Sequence, residues 1–273
     1  DYKWTGPSGP VVRLVNALNE RGWPSSLVCS RAPDSKRNEL ADRARELGVG
    51  VEVLHLDSSP NISKNLSDRR RLRRMIREGG YGIVHCHGTW DHFLAAWALG
   101  RGRTVPLVRT DHSGRDYGTN LLHRWFYGRR MADRLCVIGD SYRFQAVDRV
   151  RRAPETVVTV RGAVDTADYE PQPAPPGTRE KHGLADDNFV FGIVARVQPH
   201  RKWDELLEAA QIVKRRNPRI KIVVLGRGTR KKVLLDDPVE RLNLQDTVYP
   251  LGYLREGYVD ALNMLDAGML LVP

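Results

Sequence analysis

Residues 189–228 read FVFGIVARVQPHRKWDELLEAAQIVKRRNPRIKIVVLGRG. Two aliphatic runs, 189–194 and 220–225, flank a segment of helical periodicity at 203–216. A strand, a covering helix and a second strand on short turns make the repeating unit of a parallel sheet, because parallel strands need a crossover and a helix supplies it. The fold class is therefore α/β. Onward from this unit the alternation continues with a helix at 229–242, a strand at 247–250, a helix at 256–265 and a strand at 269–272. Back toward the start, strands are predicted at 26–29, 51–54, 82–86, 107–110, 135–138 and 157–160, with helical segments between them. The helix at 10–21 places Val11, Leu14, Val15 and Leu18 on one face and stops at Gly22. Between the two halves, residues 170–177 read EPQPAPPG, a proline-dense stretch without apolar periodicity. The predicted organisation is a first Rossmann-like domain at 1–168, a Pro-rich linker at 169–187 and a second Rossmann-like domain at 188–273.

The chain has 273 residues and 41% hydrophobic content, enough for two cores, which excludes overall disorder. No apolar run approaches the roughly 20 residues that a bilayer crossing needs. Lys and Arg number 44 against 33 Asp and Glu, a net charge of +11 that favours anionic partners. Cys29, Cys86 and Cys136 stand singly in apolar stretches with no C-x-x-C, so buried reduced thiols are expected rather than disulfides or a zinc site. No G-x-S-x-G, Walker A or H-E-x-x-H sequence is present. Residues 68–77, DRRRLRRMIR, fit a helix with Leu72, Met75 and Ile76 on one face and arginines elsewhere. That is a solvated outer face or a surface for anionic lipid headgroups; nucleic acid is not expected, since no aromatic interleaving accompanies the charge.

Several turns could carry chemistry. Residues 222–230, IVVLGRGTR, put Gly226 and Gly228 where a strand turns toward a helix that Thr229 could cap, leaving backbone N–H groups for phosphate. A dinucleotide fingerprint would want a third glycine at the position of Lys231. Residues 191–207 set Arg196 at a strand's end and Arg201 and Lys202 just ahead of the next helix. Three cations there form either a solvated loop or a diphosphate site. Residues 81–90, YGIVHCHGTW, and 109–113, RTDHS, bring His87, Asp111 and His112 to the carboxyl ends of neighbouring strands, where open α/β sheets place ligands. Either His85 or His87 would face the ligand side, so the two are not expected to chelate a metal together.

Taken together, the segments 6–23, 82–89, 105–113, 132–141, 157–171, 189–210 and 223–228 resemble GT4-type, GT-B fold, retaining glycosyltransferases over nearly the whole chain. The resemblance implies sugar transfer with retention from a UDP-, GDP- or ADP-sugar to a glycan or lipid-linked acceptor, with no cofactor and no metal required. It implies acceptor binding by the first domain and donor binding by the second, with reaction in the cleft between. Gly6 and Gly9 would lie in the glycine-rich loop near the diphosphate, joined by Gly226 and Gly228. Arg196 matches the family arginine on that group, Arg201 stands where lysine is usual, and Lys202 replaces the glycine that follows. His112 matches the histidine near the donor sugar, with Asp111 beside it as a second catalytic candidate, and His87 would touch sugar or acceptor. The location implied is cytoplasmic, peripheral at the inner membrane. The family's Glu-x7-Glu pair has no counterpart, and the strand expected before Gly6 and the C-terminal part of the second domain are missing. The chain therefore reads as an internal piece of a longer enzyme, with little turnover by itself. A non-catalytic GT-B-like protein that binds a nucleotide or glycan is the alternative.

Overall fold

A computed structural model describes residues 2–56, 61–167, 169–254 and 256–271, and the chain divides into two compact units, Asp1–Ala163 and Val164–Pro273. In the first unit β1 (Ser26–Ser30) pairs with β2 (Gly50–Leu54), while β3 (Val84–Cys86), β4 (Leu107–Asp111), β5 (Arg134–Val137) and β6 (Val157–Thr159) form a second parallel sheet in that order. Its helices are α1 (Ser8–Glu20), α2 (Glu39–Glu46), α3 (Ile62–Glu78), α4 (Thr89–Leu99), α5 (Leu121–Phe126) and α6 (Asp140–Asp148). Asparagines cap three helix starts: Asn38 Oδ1 accepts from Ala41 N at 3.1 Å, Asn61 Oδ1 from Lys64 N at 3.1 Å and Asn120 Oδ1 from His123 N at 2.8 Å. Gly100, at φ 75°, ends α4, a conformation that costs glycine little. Leu72 and Ile76 of α3 pack with Leu94 and Ala98 of α4 and with Leu107, while Met75, the third apolar position read from the sequence, is half-buried outside this core. Asp68, on the same side of α3, is 2% exposed and accepts the backbone N–H groups of His55 and Leu56 at 3.1 and 2.8 Å.

The second unit holds β7 (Phe189–Val194), β8 (Ile220–Leu225), β9 (Val248–Gly252) and β10 (Ala267–Gly268) in one parallel sheet ordered β10-β7-β8-β9. Its helices are α7 (Thr178–Lys181), α8 (Trp203–Arg216), a π-helical turn (Lys232–Asp236), α9 (Asp237–Arg241) and α10 (Tyr258–Asn263). Alternation along β8 divides the core: Ile222 and Val224 pack with Trp203, Leu206 and Ala210, while Val223 and Leu225 pack with Ala261 and Met264. Both faces are covered, which explains why the run IVVL is continuous rather than alternating.

Four expectations need correction. The last strand is Ala267–Gly268, paired with Phe191 and Gly192, rather than 269–272, whose residue 272 lies outside the described residues. The helix expected at 229–242 opens with a π turn ahead of Pro238, and Thr229 makes no cap. A proline cannot donate into the preceding turn, so a wider turn ahead of it is tolerated. The stretch at 169–187 is not a free tether, since it contains α7 and Ala174 packs against the second unit's core. Residue 168, the expected end of the first domain, lies outside the described residues. Gly9 sits in the first turn of α1, not in a loop; a Cβ there would meet the Trp4 ring at 3.2 Å. Gly6 is exposed in the turn before it, with open space around its Cα.

Candidate active site

In the first unit, β3 and β4 deliver three imidazoles to one place. His85 and His87 are two residues apart and point to the same side, their ring centroids 4.2 Å apart. The expectation that one of them turns away is thus overturned by the period of two itself. His87 Nδ1 lies 3.1 Å from His112 Nε2, with ring planes 25° apart. One ring must donate an N–H to the other, which requires at least one neutral partner. His85 Nε2 contacts Thr110 Oγ1 at 2.8 Å.

Burial, then the neighbouring imidazoles and Arg109, push the His87 pKa down to about 3, while burial and His112 push that of His85 to about 4. His112 is also lowered, chiefly by burial. The pair is therefore neutral at pH 7 and suited to exchanging hydrogen bonds with neutral polar groups rather than to holding a charge. His92, fully buried on α4 with its pKa pushed to about 4, behaves likewise. Because these histidines bind protons less readily folded than unfolded, the unfolded state takes up more protons below its value of 6.5. Stability is expected to hold above pH 6.5 and to fall as pH drops toward about 4, read as a declining thermal midpoint.

Asp111, the candidate beside His112, ends β4. It is 4% exposed, accepts from the Tyr117 hydroxyl at 3.0 Å and Ser113 N at 3.0 Å, and faces Arg109 Nη2 at 3.7 Å. With its oxygens so engaged, it braces the turn that carries His112. Two residues that organise this cluster escaped the sequence reading. Arg109, 2% exposed, donates through Nη1 to the Gly88 carbonyl beneath the histidines. Asp91 accepts from His87 N at 3.1 Å and Gly88 N at 2.8 Å, fixing the turn after β3. Their signals were an arginine inside an apolar strand and a carboxylate three residues after a glycine, the spacing of a capping box.

In the second unit, the segments that leave β7 and β8 are stitched together. Ala195 N donates to Leu225 O at 3.1 Å and Val197 N to Arg227 O at 3.2 Å. The approach is so close that a Cβ on Gly226 would overlap the Ala195 carbonyl oxygen, and one on Gly228 that of Val197. These glycines are thus required by backbone packing before any ligand is considered. Arg196 is exposed and makes no ion pair among the described residues. Arg201 donates through Nη1 to Leu271 O at 2.9 Å, and its Nε is buried without a partner among the described residues. Lys202 adopts φ 50°, ψ 47° at the start of α8, and its Nζ reaches Glu205 at 2.8 Å. A side chain in this left-handed region costs roughly 1 kcal/mol. Lys202→Gly is expected to stabilise the second unit by up to about 1 kcal/mol, seen as a higher urea midpoint, since the exposed ion pair it deletes contributes little. No group of three His, Cys, Asp or Glu able to hold a metal occurs among the described residues.

Residues 10–168 match Glycosyltransferase Family 4, and residues 176–272 match Glycosyl transferases group 1. A D-inositol 3-phosphate glycosyltransferase of Thermobifida fusca is 30% identical, across 91% of this chain and 64% of its own length. That of Kineococcus radiotolerans is 29% identical, across 87% of this chain and 60% of its own. The chain thus spans about three-fifths of the length of these curated relatives. Among solved structures, Anabaena HepE in complex with UDP and glucose superposes with a TM-score of 0.71 at 16% identity, covering 98% of this chain and 71% of that one. The family match over more than half of the sequence, and the two Rossmann-like parallel-sheet units of the GT-B fold, place this chain in Glycosyltransferase Family 4.

Proposed function

We propose that the chain is the greater part of a retaining glycosyltransferase that takes a UDP-sugar and passes its sugar to a glycan or lipid-linked acceptor. Residues 188–273 would hold the donor and residues 1–168 the acceptor. The observation that carries this reading is Arg201, whose buried Nε has no partner among the described residues, in the segment between β7 and α8 that Val197 ties to the turn after β8. Guanidinium groups of Arg196 and Arg201 would stabilise the charge that develops on the departing diphosphate, aided by the N-terminus of α8. The acceptor oxygen would bond to the anomeric carbon on the face from which the diphosphate leaves, and its proton would pass to the departing phosphate oxygen. The neutral His112 and His87 would orient sugar hydroxyls. HepE, which binds UDP, supports uridine as the base.

Calorimetric titration with UDP, GDP and ADP tests this, with saturable preference for UDP expected. Arg201→Ala is expected to weaken UDP about thirtyfold, the loss of one charge-assisted contact of about 2 kcal/mol, while uridine binding stays unchanged. Equal losses for UDP and uridine would remove Arg201 from the phosphate site.

A further inference from the structure

Helix α8 begins with a buried tryptophan whose one polar atom is bound to the turn that carries Arg201. Trp203 is 2% exposed and belongs to one buried cluster with Val197, Leu206, Leu207, Ile222 and Leu235, the core of the second unit. Its Nε1 donates to the Gln198 carbonyl at 3.1 Å. The same oxygen accepts from Arg201 N at 3.2 Å, the bond that closes the 3₁₀ turn Pro199–Arg201. A carbonyl oxygen has two acceptor sites, and here one closes the turn while the other ties it to the core. No side chain caps the start of α8, Lys202 stands in the left-handed region, and Pro199, His200 and Lys202 are exposed. The turn therefore takes its position from its ends: Val197, held by Arg227, and Gln198, held by the indole.

Arg201 depends on that position. Its Nη1 is engaged with Leu271 O, and its buried Nε is a donor without a partner among the described residues. A guanidinium recognises phosphate by direction as well as by charge, so a tilt of the turn misdirects the fork even though the charge stays. A core position that asks only for bulk is met by leucine or phenylalanine; an indole adds one donor, and a buried indole N–H is matched to an acceptor. We propose that Trp203 is a positioning residue for the donor diphosphate. Its indole N–H fixes the turn at 198–202 and, through it, the direction in which Arg201 presents its guanidinium. This inference rests on the UDP-sugar reading of the second unit.

The test is titration of the full chain and its variants with UDP and with uridine. Trp203→Phe removes the donor and keeps an aromatic ring in the core. It is expected to weaken UDP about tenfold, through one misdirected charge-assisted contact, and to leave uridine unchanged. Val239, 4% exposed in the same cluster but on α9, supplies the control. Val239→Ala loosens that core away from the turn and is expected to keep UDP affinity within about twofold of the parent. A second readout needs no nucleotide: the Arg201 Nε–H signal in proton–nitrogen NMR spectra, assigned by its loss in Arg201→Lys. It is expected to shift in Trp203→Phe and to stay in place in Val239→Ala. Trp203→Leu, which also lacks a donor, is expected to match Trp203→Phe, and circular dichroism checks the fold of each variant. Parent-like UDP affinity or an unmoved Arg201 signal in Trp203→Phe overturns the proposal and leaves the donor reading standing. Equal losses for UDP and uridine overturn it as well, since the base site then moves with the turn. Loss of the fold in both Trp203 variants makes the tryptophan a core residue and has the same result. A parent chain that binds no UDP overturns the donor reading and this inference with it.

Discussion

Arg152→Met is expected to lower the stability of the first unit by about 3 kcal/mol, a large fraction of the roughly 5–15 kcal/mol that holds a domain folded. Arg152 is 4% exposed, and its guanidinium ties three segments together. Nε donates to Thr156 Oγ1 at 3.2 Å, Nη1 to Tyr127 O at 2.7 Å, and Nη2 to Ala132 O and Asp133 O at 3.1 Å each. Burial pushes its pKa down to about 10, which leaves it charged at neutral pH. Methionine fills comparable volume, so the loss comes from carbonyls left buried without donors rather than from a cavity. Thermal unfolding is expected to drop by roughly 6 to 12 °C. Arg152→Lys should recover only part of this, because an ammonium cannot span the fan of acceptors that a planar guanidinium reaches. A variant melting within a degree of the parent would show that the carbonyls find other donors.

The same side chain shows where reading a sequence runs out. Arg152 stands in the run RVRR, at 149–152, and looks like its neighbours; only the folded chain distinguishes it from Arg151, which is solvated. Strands β7 and β8 and helix α8 were legible to the residue, because a continuous apolar run and a 3.6-residue period are local signals that burial on both sides of a sheet reinforces. Residues 229–242 were less so: a π turn saves backbone hydrogen bonds ahead of Pro238 that a pattern of apolar positions does not record. At the candidate site, His87 and His112 could be placed at strand ends from spacing alone. Their mutual contact at 3.1 Å depends on the register of Cys86 against Arg109, which no local pattern encodes. Asp111 is a related case. A carboxylate beside a histidine suggests chemistry, but its orientation toward Tyr117 and Arg109 is set by segments distant in sequence.

Gly228→Ala is expected to cost the second unit about 3 kcal/mol, at the upper end of what overpacking produces, because the obstacle to the new methyl is backbone. The Cβ would overlap the Val197 carbonyl oxygen, and Val197 is itself pinned to Arg227 by the 3.2 Å bond from its N–H. Relief therefore requires the segments leaving β7 and β8 to separate, breaking that bond and shifting Arg196 and Arg201, which ride on the same segment. UDP affinity and the urea midpoint should fall together in this variant. Gly6→Ala provides the contrast, since open space surrounds Gly6, and its unfolding free energy from urea titration is expected to stay within about 0.5 kcal/mol of the parent. If Gly228→Ala lost UDP binding with an unchanged urea midpoint, the glycine would be there for the ligand alone. The close packing of the two segments would then be a consequence of the site rather than its foundation. A joint loss means that the backbone contact between the segments sets the position of the cations, and that donor binding inherits its geometry from the fold.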